Sequence, residues 1–334
     1  MKHADTYLQT QNLAVGYDQH ALIENINLQV QTSQVIGLLG TNGSGKSTLL
    51  KTIMGLLPAL SGQLKVMGKN PSDISQREKA RMVSYVAASE SLPSNLHVYE
   101  LVAFGRYPHT GLMSRQTSED IRKQEMAMEQ MQVSHLAGRQ LAEISDGERQ
   151  RSMIARALAQ DTPLIILDEP AAHLDIQNRY ELMRLLRGLA ETSNKSILFS
   201  SHDLEIALNH TDKLWLINEN GIISGLPEDL VLNGQIDKLV PSPEIKFDPV
   251  QSKFVMPVKS RQKVCVKGRG EVLQWTNHAL NRYGFDADCN KSEGVNVIIR
   301  ENDTKLVWQL DFQGESITCL SIEELVLTIK NIQL

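Results

Sequence analysis

Short, uninterrupted apolar runs alternate with helical patterns along the first two thirds of the chain. The runs VIGLL, LIIL and SILFS occupy residues 35–39, 164–167 and 196–200. Runs of this kind are typical of strands that are covered on both faces, as in parallel sheets. The pattern therefore predicts an α/β fold with a mostly parallel core sheet.

Helical patterns prevail between the first two of these runs, over residues 90–155. In SEDIRKQEMAMEQMQV, Ser118 is the predicted N-cap, and Ile121, Met128 and Met131 recur at helical spacing. We expect this face to pack inside a helical subdomain, because the flexible methionine side chain fills irregular gaps in a core.

Prolines interrupt the pattern shortly after residue 240. The segment LVPSPEIKFDP excludes helix and predicts a domain boundary. Beyond it the pattern predicts a strand KVCVKG, a helix EVLQWTNHALNRYG, strands GVNVIIR, KLVWQLDF and SITCLS, and a helix IEELVLTIKNI. We therefore predict a first domain over residues 1–240, with its helical subdomain at about 90–155, and a small α+β domain over residues 241–334.

Composition excludes several classes of protein. The 334 residues are 41% hydrophobic and 22% charged, which suits two globular domains, and the net charge of −5 argues against a nucleic-acid partner. Neither a signal-peptide core nor a membrane-spanning apolar stretch is found, so any membrane role is expected to act through a partner. The three cysteines, Cys265, Cys289 and Cys319, match no zinc or redox spacing and are expected to be ordinary thiols in a reducing compartment.

A phosphate-binding motif follows the first apolar run. GTNGSGKST fits the pattern G-x-x-x-x-G-K-[ST] and leads into the helical pattern TLLKTIMGLL. In this context successive backbone N–H groups and a helix N-terminus surround phosphate oxygens. Lys46 is expected to reach the β- and γ-phosphates and Ser47 to bind Mg²⁺. The candidate ATP-binding residues of the motif are Gly40, Asn42, Gly43, Ser44, Gly45, Lys46, Ser47 and Thr48.

A pair of carboxylates ends the second apolar run, in LIILDEP. Asp168 is expected to hold Mg²⁺ through water, and Glu169 to polarise the water that attacks the γ-phosphate. The alternative is a pair of solvated loop charges. The phosphate-binding motif earlier in the chain favours the catalytic interpretation.

The segment ISDGERQR lies between the two motifs and precedes the helical run SMIARALAQ. Ser145 and Gly147 can offer a hydroxyl and backbone N–H groups to an anion there. With these motifs the chain resembles the nucleotide-binding subunits of ATP-binding cassette (ABC) transporters, whose signature usually reads LSGGQ, so Ile144 and Asp146 are variants. The resemblance covers roughly residues 6–240.

The resemblance implies a P-loop NTPase cassette with an antiparallel β part beside the core sheet and a helical subdomain. It also implies a homodimer in which two chains sandwich two ATP molecules head to tail. Ser145 and Gly147 would then contact the γ-phosphate held by the opposite subunit.

Three further positions match the family pattern. Tyr17, in AVGYDQHALIENINLQV, resembles the aromatic residue that stacks on adenine, although core packing is an alternative. Asp175, in AAHLD, resembles the residue that communicates across the dimer. His202, in SILFSSHDLEIA, resembles the switch histidine that contacts the γ-phosphate.

The segment VYELVAFGRYPHTG is similar to its counterpart in importers of iron-siderophores, haem and cobalamin, where it lies near the groove for the membrane subunit's coupling helix. From the residues alone, a helix ends here and Pro108 starts a loop. The resemblance implies a peripheral subunit on the cytoplasmic face of the membrane that drives two permease subunits and, indirectly, a cargo-binding protein. The alternative is a regulatory or structural cassette that binds ATP with little hydrolysis.

The segment VSYVAASE departs from the family pattern. Alignment on Tyr85 places Ala88 where the family has a glutamine whose amide oxygen binds Mg²⁺. Ser89, Glu90 or a water molecule are the alternatives for this ligand. Water is favoured, because an added carboxylate near the triphosphate would meet like charge.

The C-terminal domain carries no recognisable ligand motif. Lys259, Arg261 and Lys263 alternate and would share one face of a strand. We expect that face to be solvated, with contacts to anionic lipids or to the other subunit as alternatives. A regulatory role for this domain is a hypothesis.

Overall fold

The computed structural model describes residues 5–110, 115–240, 242, 244–249, 251–256, 262–287, 295–302 and 305–332. The chain divides into two compact units, Met1–Phe254 and Val255–Leu334. The first unit extends past the proline-rich segment because Phe247 is buried beside Ile236 and Leu239. The limit between these two compact units lies beyond residue 240, and the domain limits at residue 240 stay a prediction from the sequence.

The strands numbered up to β12 begin in the first unit. They are β1 (Thr6–Tyr17), β2 (His20–Ile26), β3 (Gln29–Gln31), β4 (Val35–Gly40), β5 (Ser61–Val66), β6 (Val83–Val86), β7 (Leu164–Leu167), β8 (Ser196–Ser201), β9 (Lys213–Asn218), β10 (Gly221–Gly225), β11 (Lys246–Asp248) and β12 (Lys253–Val255).

The helices of this unit alternate with the strands. They are α1 (Lys46–Ile53), α2 (Gln76–Met82), α3 (Val98–Ala103), α4 (Tyr107–Thr110), α5 (Ser118–Gln130), α6 (Asp146–Ala159), α7 (Ile176–Ser193), α8 (Leu204–His210) and α9 (Pro227–Leu232). Short 3₁₀ helices occupy Pro71–Asp73, Phe104–Arg106, Ser134–Leu136, Leu141–Glu143 and Ile236–Leu239.

The central sheet has the strand order β10-β9-β4-β8-β7-β6. All neighbours from β9 to β6 are parallel, and β10 joins β9 as an antiparallel edge strand. A second, antiparallel sheet places β2, β3 and β5 against β1. The parallel core predicted from the apolar runs and the antiparallel part implied by the family resemblance are both confirmed.

Helix α5 is the predicted methionine-containing helix, but its N-cap is Thr117 rather than Ser118. The Thr117 hydroxyl accepts the backbone N–H of Asp120, and the Asp120 carboxylate accepts the Thr117 N–H in return. Met128 and Met131 are buried, whereas Ile121 is 37% exposed. The inward face is therefore confirmed for the two methionines and wrong for Ile121.

Pro108 does not start a loop, contrary to the expectation from the sequence. It is the second residue of the one-turn helix α4. Proline is tolerated there because the first N–H groups of a helix have no intrahelical partner. The Pro108 carbonyl accepts hydrogen bonds from the Nε atoms of Arg77 and Arg81 on α2, at 2.9 and 3.1 Å.

The second unit is an α+β domain, as predicted. Its elements are β13 (Gln262–Lys267), α10 (Gly270–Arg282), β14 (Phe285–Asp286), β15 (Val295–Asn302), β16 (Lys305–Phe312), β17 (Glu315–Cys319) and α11 (Ile322–Asn331). The sheet order is β14-β13-β15-β16-β17. Apolar residues of both helices share one core with the sheet, in which Trp308 Nε1 donates to Thr276 Oγ1 at 2.9 Å.

Predictions about individual residues of this unit have mixed outcomes. Cys319 is a buried free thiol, but Cys265 is disulfide-bonded, so the expectation of ordinary thiols is wrong for Cys265. Lys263 is exposed on β13, whereas Cys289, Lys259 and Arg261 lie outside the described residues. Within the part of the chain that the structure describes, no helix is both long enough and apolar enough to cross a bilayer.

Candidate nucleotide-binding and catalytic site

A cleft of about 380 Å³ opens where β4 leads into α1. It lies at the carboxyl ends of parallel strands, the usual position for a ligand site in an α/β fold. Its lining residues are Leu22, Thr41, Asn42, Gly43, Ser44, Gly45, Lys46, Ser47, Thr48, Ala88, Asp168 and Glu169. The structure thus brings most of the phosphate-binding motif together with the acid pair, over a hundred residues apart in the chain.

The phosphate-binding loop depends on glycine at its tightest points. Gly45, the N-cap of α1, has a φ of +98°, a conformation that residues with a Cβ rarely adopt. A Cβ at Gly40 would lie 2.5 Å from Ser44 Oγ and 3.1 Å from Ile217 Cβ, so a side chain at this position would force its neighbours to shift. Ser44 Oγ is buried without a hydrogen-bond partner, as expected of a group that waits for an oxyanion.

Lys46 is positioned by backbone carbonyls of the same loop. Its Nζ donates to the carbonyl oxygens of Gly40 at 2.7 Å and Thr41 at 3.3 Å, and the residue is only 8% exposed. Burial lowers the pKa of Lys46, and the nearby charges of Glu169 and Asp168 partly oppose this. A buried ammonium group held at this loop can donate charge-assisted hydrogen bonds to a phosphate.

Asp168 follows β7 and is held by hydroxyl groups from three other elements. Ser200 Oγ on β8 donates to Oδ1 at 2.5 Å, while Tyr85 on β6 and Ser47 on α1 donate to Oδ2 at 3.3 and 3.5 Å. The Asp168 N–H also donates to the Val86 carbonyl at 2.9 Å. The carboxylate is therefore fixed beside the phosphate-binding loop.

Glu169 and His202 form a pair at the edge of the cleft. The His202 Nδ1 atom lies 3.0 Å from Glu169 Oε2, and the His202 side chain is 64% exposed. Glu169 has a φ of +49°, and its N–H donates to Ser200 Oγ at 2.9 Å. Ser200 Oγ thus links the main chain of Glu169 to the carboxylate of Asp168, because the same hydroxyl donates to Asp168 Oδ1.

Tyr17 lies beside the cleft rather than among its lining residues. It is 45% exposed, and its hydroxyl accepts a hydrogen bond from Thr48 Oγ1 at 3.4 Å. Leu22, which the sequence interpretation missed, does line the cleft and is 50% exposed. Leu22 and Ile23 are adjacent apolar residues on β2, and Ile23 is buried under Gly45. This apolar pair is the sequence signal that could have identified Leu22.

Ser145, Gly147 and Asp175 lie outside the cleft of their own chain. Ser145 is the N-cap of α6, and its N–H and hydroxyl both donate to Glu148, which lowers the pKa of that carboxyl. A Cβ at Gly147 would lie 2.7 Å from the Asn178 side chain, and Asn178 Nδ2 donates to Asp175 at 3.0 Å. The first turn of α6 therefore abuts the first turn of α7, which Asp175 caps.

Ala88 is exposed at the wall of the cleft and offers only a methyl group. Glu90 does not replace the missing glutamine, because Arg156 on α6 binds both of its carboxylate oxygens. Ser89 is exposed and is absent from the cleft lining. Water at this ligand position stays a prediction.

The donor set beside the cleft fits Mg²⁺. Ser47 and Asp168 present a hydroxyl and a carboxylate, which are hard oxygen ligands. Among the described residues there is no cluster of three or more His, Cys, Asp or Glu side chains that could hold a metal alone. Mg²⁺ is commonly bound by one or two protein oxygens together with substrate phosphates, so this small donor set is sufficient.

Comparisons with known proteins cover both units. A family model described as ABC transporter matches residues 23–172, and one described as Iron ABC transporter C-terminal domain matches residues 261–330. An uncharacterised ABC transporter ATP-binding protein of Methanocaldococcus jannaschii is 35% identical over 83% of this chain and 97% of its own length. The ferric enterobactin transport ATP-binding protein FepC of Escherichia coli is 33% identical over 70% of this chain and 86% of its own length.

A solved structure agrees with these matches. The structure of cbiO1 from Clostridium perfringens, part of the ABC transporter complex cbiONQ, gives a TM-score of 0.61 at 26% identity. The match covers 70% of this chain and 93% of that one. The chain belongs to the family of ATP-binding proteins of ABC transporters.

Proposed function

We propose that the chain hydrolyses ATP to drive an importer of an iron chelate, most closely the ferric siderophore class. The observation that carries the ATPase assignment is a cleft lined by the phosphate-binding loop, Asp168 and Glu169, with His202 paired to Glu169 at 3.0 Å. A regulatory cassette without turnover has no need for a carboxylate and an imidazole paired beside the phosphate site.

The residues of the cleft have distinct roles in this proposal. The loop N–H groups, Ser44 and Lys46 bind the phosphates. Ser47 and Asp168 would hold Mg²⁺, which neutralises charge on the β- and γ-phosphate oxygens when it is bound.

Glu169 acts as the general base. It accepts the proton of the water that attacks the γ-phosphorus, and the bond from the γ-phosphorus to the bridging oxygen breaks. With protons on both ring nitrogens, His202 would donate from Nδ1 to Glu169 Oε2 and from Nε2 to a γ-phosphate oxygen, because a ring nitrogen without a proton is an acceptor. The pair therefore orients the base and contacts the group that is transferred.

A second copy of the chain completes the site in this proposal. Ser145 and Gly147 start a helix outside their own cleft, and a helix start is a ready site for an anion. Across a head-to-tail homodimer they would bind the γ-phosphate held by the partner, with Tyr17 near adenine and Asp175 at the subunit boundary. Closure on ATP and reopening after phosphate release would drive two permease subunits from the cytoplasmic face of the membrane.

Two matches support an iron-containing cargo. One relative is a ferric enterobactin transport protein, and the second unit matches the family described as Iron ABC transporter C-terminal domain. The cargo reaches the membrane subunits through a cargo-binding protein, so the chain itself contacts no siderophore in this proposal. Haem and cobalamin are the competing cargo classes.

The test of the ATPase is steady-state phosphate release by the purified chain, alone and with its co-purified permease. We expect turnover that depends on Mg²⁺ and that the permease increases. The matched control is Glu228→Gln, an exposed position in the first turn of α9, which should leave turnover unchanged. No phosphate release in either condition would instead support the regulatory cassette.

The cargo class is tested in vesicles that contain the chain, its permease and its cargo-binding protein. A ferric siderophore is expected to raise ATP hydrolysis and to accumulate in the vesicles. Cobalamin and haem are added in parallel at the same concentration. Stimulation by either of these, without a response to the ferric siderophore, would overturn the iron assignment.

A further inference from the structure

The carboxylate of Asp168 has its two oxygens in different surroundings. Oδ1 receives the short hydrogen bond from Ser200, at 2.5 Å. Oδ2 accepts hydrogen bonds from Ser47 Oγ of the phosphate-binding loop at 3.5 Å and from the phenol hydroxyl of Tyr85 at 3.3 Å. The oxygen that shares the cleft with Ser47 is therefore oriented by Tyr85.

Tyr85 is itself held firmly in place. It lies on β6, in parallel register with Ile166 of β7, and its half-buried ring packs against the core beneath the phosphate-binding loop. The next residue, Val86, accepts the backbone N–H of Asp168 at 2.9 Å. Two adjacent residues of β6 thus position Asp168, one through its main chain and the other through its side chain.

The phenol is suited to act as a permanent donor. Its hydroxyl lies 3.3 Å from Asp168 Oδ2 and donates to it. A phenol ordinarily loses its proton only at about pH 10, so it remains a donor at neutral pH.

The rest of the segment offers no substitute for Tyr85. Ala88 lines the cleft with a methyl group, and Glu90 has both carboxylate oxygens bound by Arg156. Within the described segment 83–90, the Tyr85 hydroxyl is the side-chain group that hydrogen-bonds to Asp168. Outer partners of this kind fix the orientation of a metal-binding carboxylate, and their loss typically lowers metal affinity about 10- to 100-fold.

We propose that Tyr85 is a positioning residue that orients Asp168 Oδ2 toward Ser47 and thereby sets the affinity of the nucleotide site for Mg²⁺. The inference rests on the proposed function, because it takes Ser47 and Asp168 as the groups that hold the metal. In this inference Tyr85, a residue of β6, adjusts the metal affinity of a site to which Ala88 contributes no polar side chain.

The test uses Tyr85→Phe, which keeps the ring and removes only the hydroxyl. The dissociation constant of a fluorescent, non-hydrolysable ATP analogue is measured with the full chain in excess EDTA and in saturating Mg²⁺. The constant in EDTA divided by the constant in Mg²⁺ reports how much the metal strengthens binding. We expect Tyr85→Phe to lower this ratio about 10-fold while the constant in EDTA stays unchanged.

The matched control is Tyr180→Phe. It removes a hydroxyl that donates to Glu205 at 2.7 Å, and its ratio should equal that of the natural chain. A folded Tyr85→Phe chain with a ratio within about twofold of the natural one would overturn the proposal, because loss of an orienting group typically lowers metal affinity about 10- to 100-fold. So would an equal rise in both constants, since that would indicate a structural defect in the loop. If Tyr85→Phe fails to fold, Tyr85→Leu removes the same donor.

This readout is independent of turnover. A chain that binds the Mg²⁺-analogue complex with the expected ratio but releases no phosphate would contradict the proposed ATPase and leave the role of Tyr85 intact. Normal phosphate release by the natural chain, together with an unchanged ratio in Tyr85→Phe, would contradict the role of Tyr85 and leave the proposed ATPase intact.

Discussion

Arg156 binds Glu90 through two parallel hydrogen bonds, from Nη1 to Oε1 at 2.7 Å and from Nη2 to Oε2 at 2.8 Å. Arg156 lies on α6, the helix that Ser145 caps, and Glu90 lies in the loop that follows β6. The pair therefore joins the loop carrying Ala88 to the helix that the proposed dimer uses to contact the partner's ATP. A bidentate pair of this kind fixes geometry as well as distance.

Arg156→Lys should loosen the connection between α6 and the loop that carries Ala88 and Glu90, because lysine cannot form the paired hydrogen bonds of a guanidinium. We expect basal ATP hydrolysis to stay within about twofold, because the partly exposed pair contributes only about 1 kcal/mol. Stimulation by the permease is expected to fall severalfold.

The measurement is phosphate release with and without permease. Arg122→Lys is the control, because it alters an exposed pair with Glu119 on α5. Full stimulation in Arg156→Lys would contradict a coupling role for the pair.

Glu169→Gln should bind ATP yet hydrolyse it at least about 100-fold more slowly, because an amide cannot accept the proton of the attacking water. Retained ATP should hold two chains together, so the variant should elute as a dimer in size-exclusion chromatography with ATP. The natural chain is run under the same conditions. Hydrolysis at the natural rate would remove Glu169 from the role of general base.

Lys46→Ala should raise the dissociation constant for ATP about 10- to 100-fold, since a charge-assisted hydrogen bond contributes about 1.5–3 kcal/mol. Lys51→Ala is the matched control, because Lys51 lies on the same helix with its side chain exposed. Fluorescence titration with an ATP analogue compares the two variants. Equal affinities would contradict the assignment of Lys46 to the phosphates.

Asp120→Ala should lower the free energy of unfolding of the first unit by about 3–5 kcal/mol, because it leaves the buried Arg106 guanidinium without its counter-charge. Both side chains are only 6% exposed, and Arg106 Nη1 also donates to the Ala159 carbonyl at 2.7 Å. Urea unfolding measures the loss. The exposed neighbour Glu119→Ala should cost less than about 1 kcal/mol.

Asp161 should make stability depend on acid pH. Burial alone would raise the pKa of this carboxyl, but hydrogen bonds and charges from Lys123 and Lys195 outweigh it and lower the pKa to about 2. A carboxyl whose pKa is lowered in the folded state stabilises the fold above its ordinary pKa, near 4, and loses this contribution as the pH falls toward 2.

Lys123→Met should reduce the part of the stability that is lost between about pH 4 and pH 2, since it removes one of the two ammonium partners. The half-exposed group contributes only about 1 kcal/mol after solvent screening. Unfolding curves at pH 6 and pH 3 measure the change. An unaltered difference between the two pH values would contradict the assigned cause.

The sequence by itself determined the elements that depend on local patterns. Continuous apolar runs predicted β4, β7 and β8, because strands buried on both faces need no polar alternation. Glycine spacing identified the phosphate-binding loop, since its backbone conformation restricts the residue type directly. The position of the acid pair followed from its place after a buried strand.

The tertiary structure decided which distant groups meet. The bonds of Asp168 with Tyr85 and Ser200, and of Glu90 with Arg156, join elements far apart in the chain, and no periodicity encodes such contacts. The same holds for local details that depend on neighbours. Pro108 lies in a helix, where its carbonyl accepts a hydrogen bond from Arg77. Cys265 forms a disulfide that its spacing to the other cysteines did not predict, because the distance between two thiols is set by the packed fold.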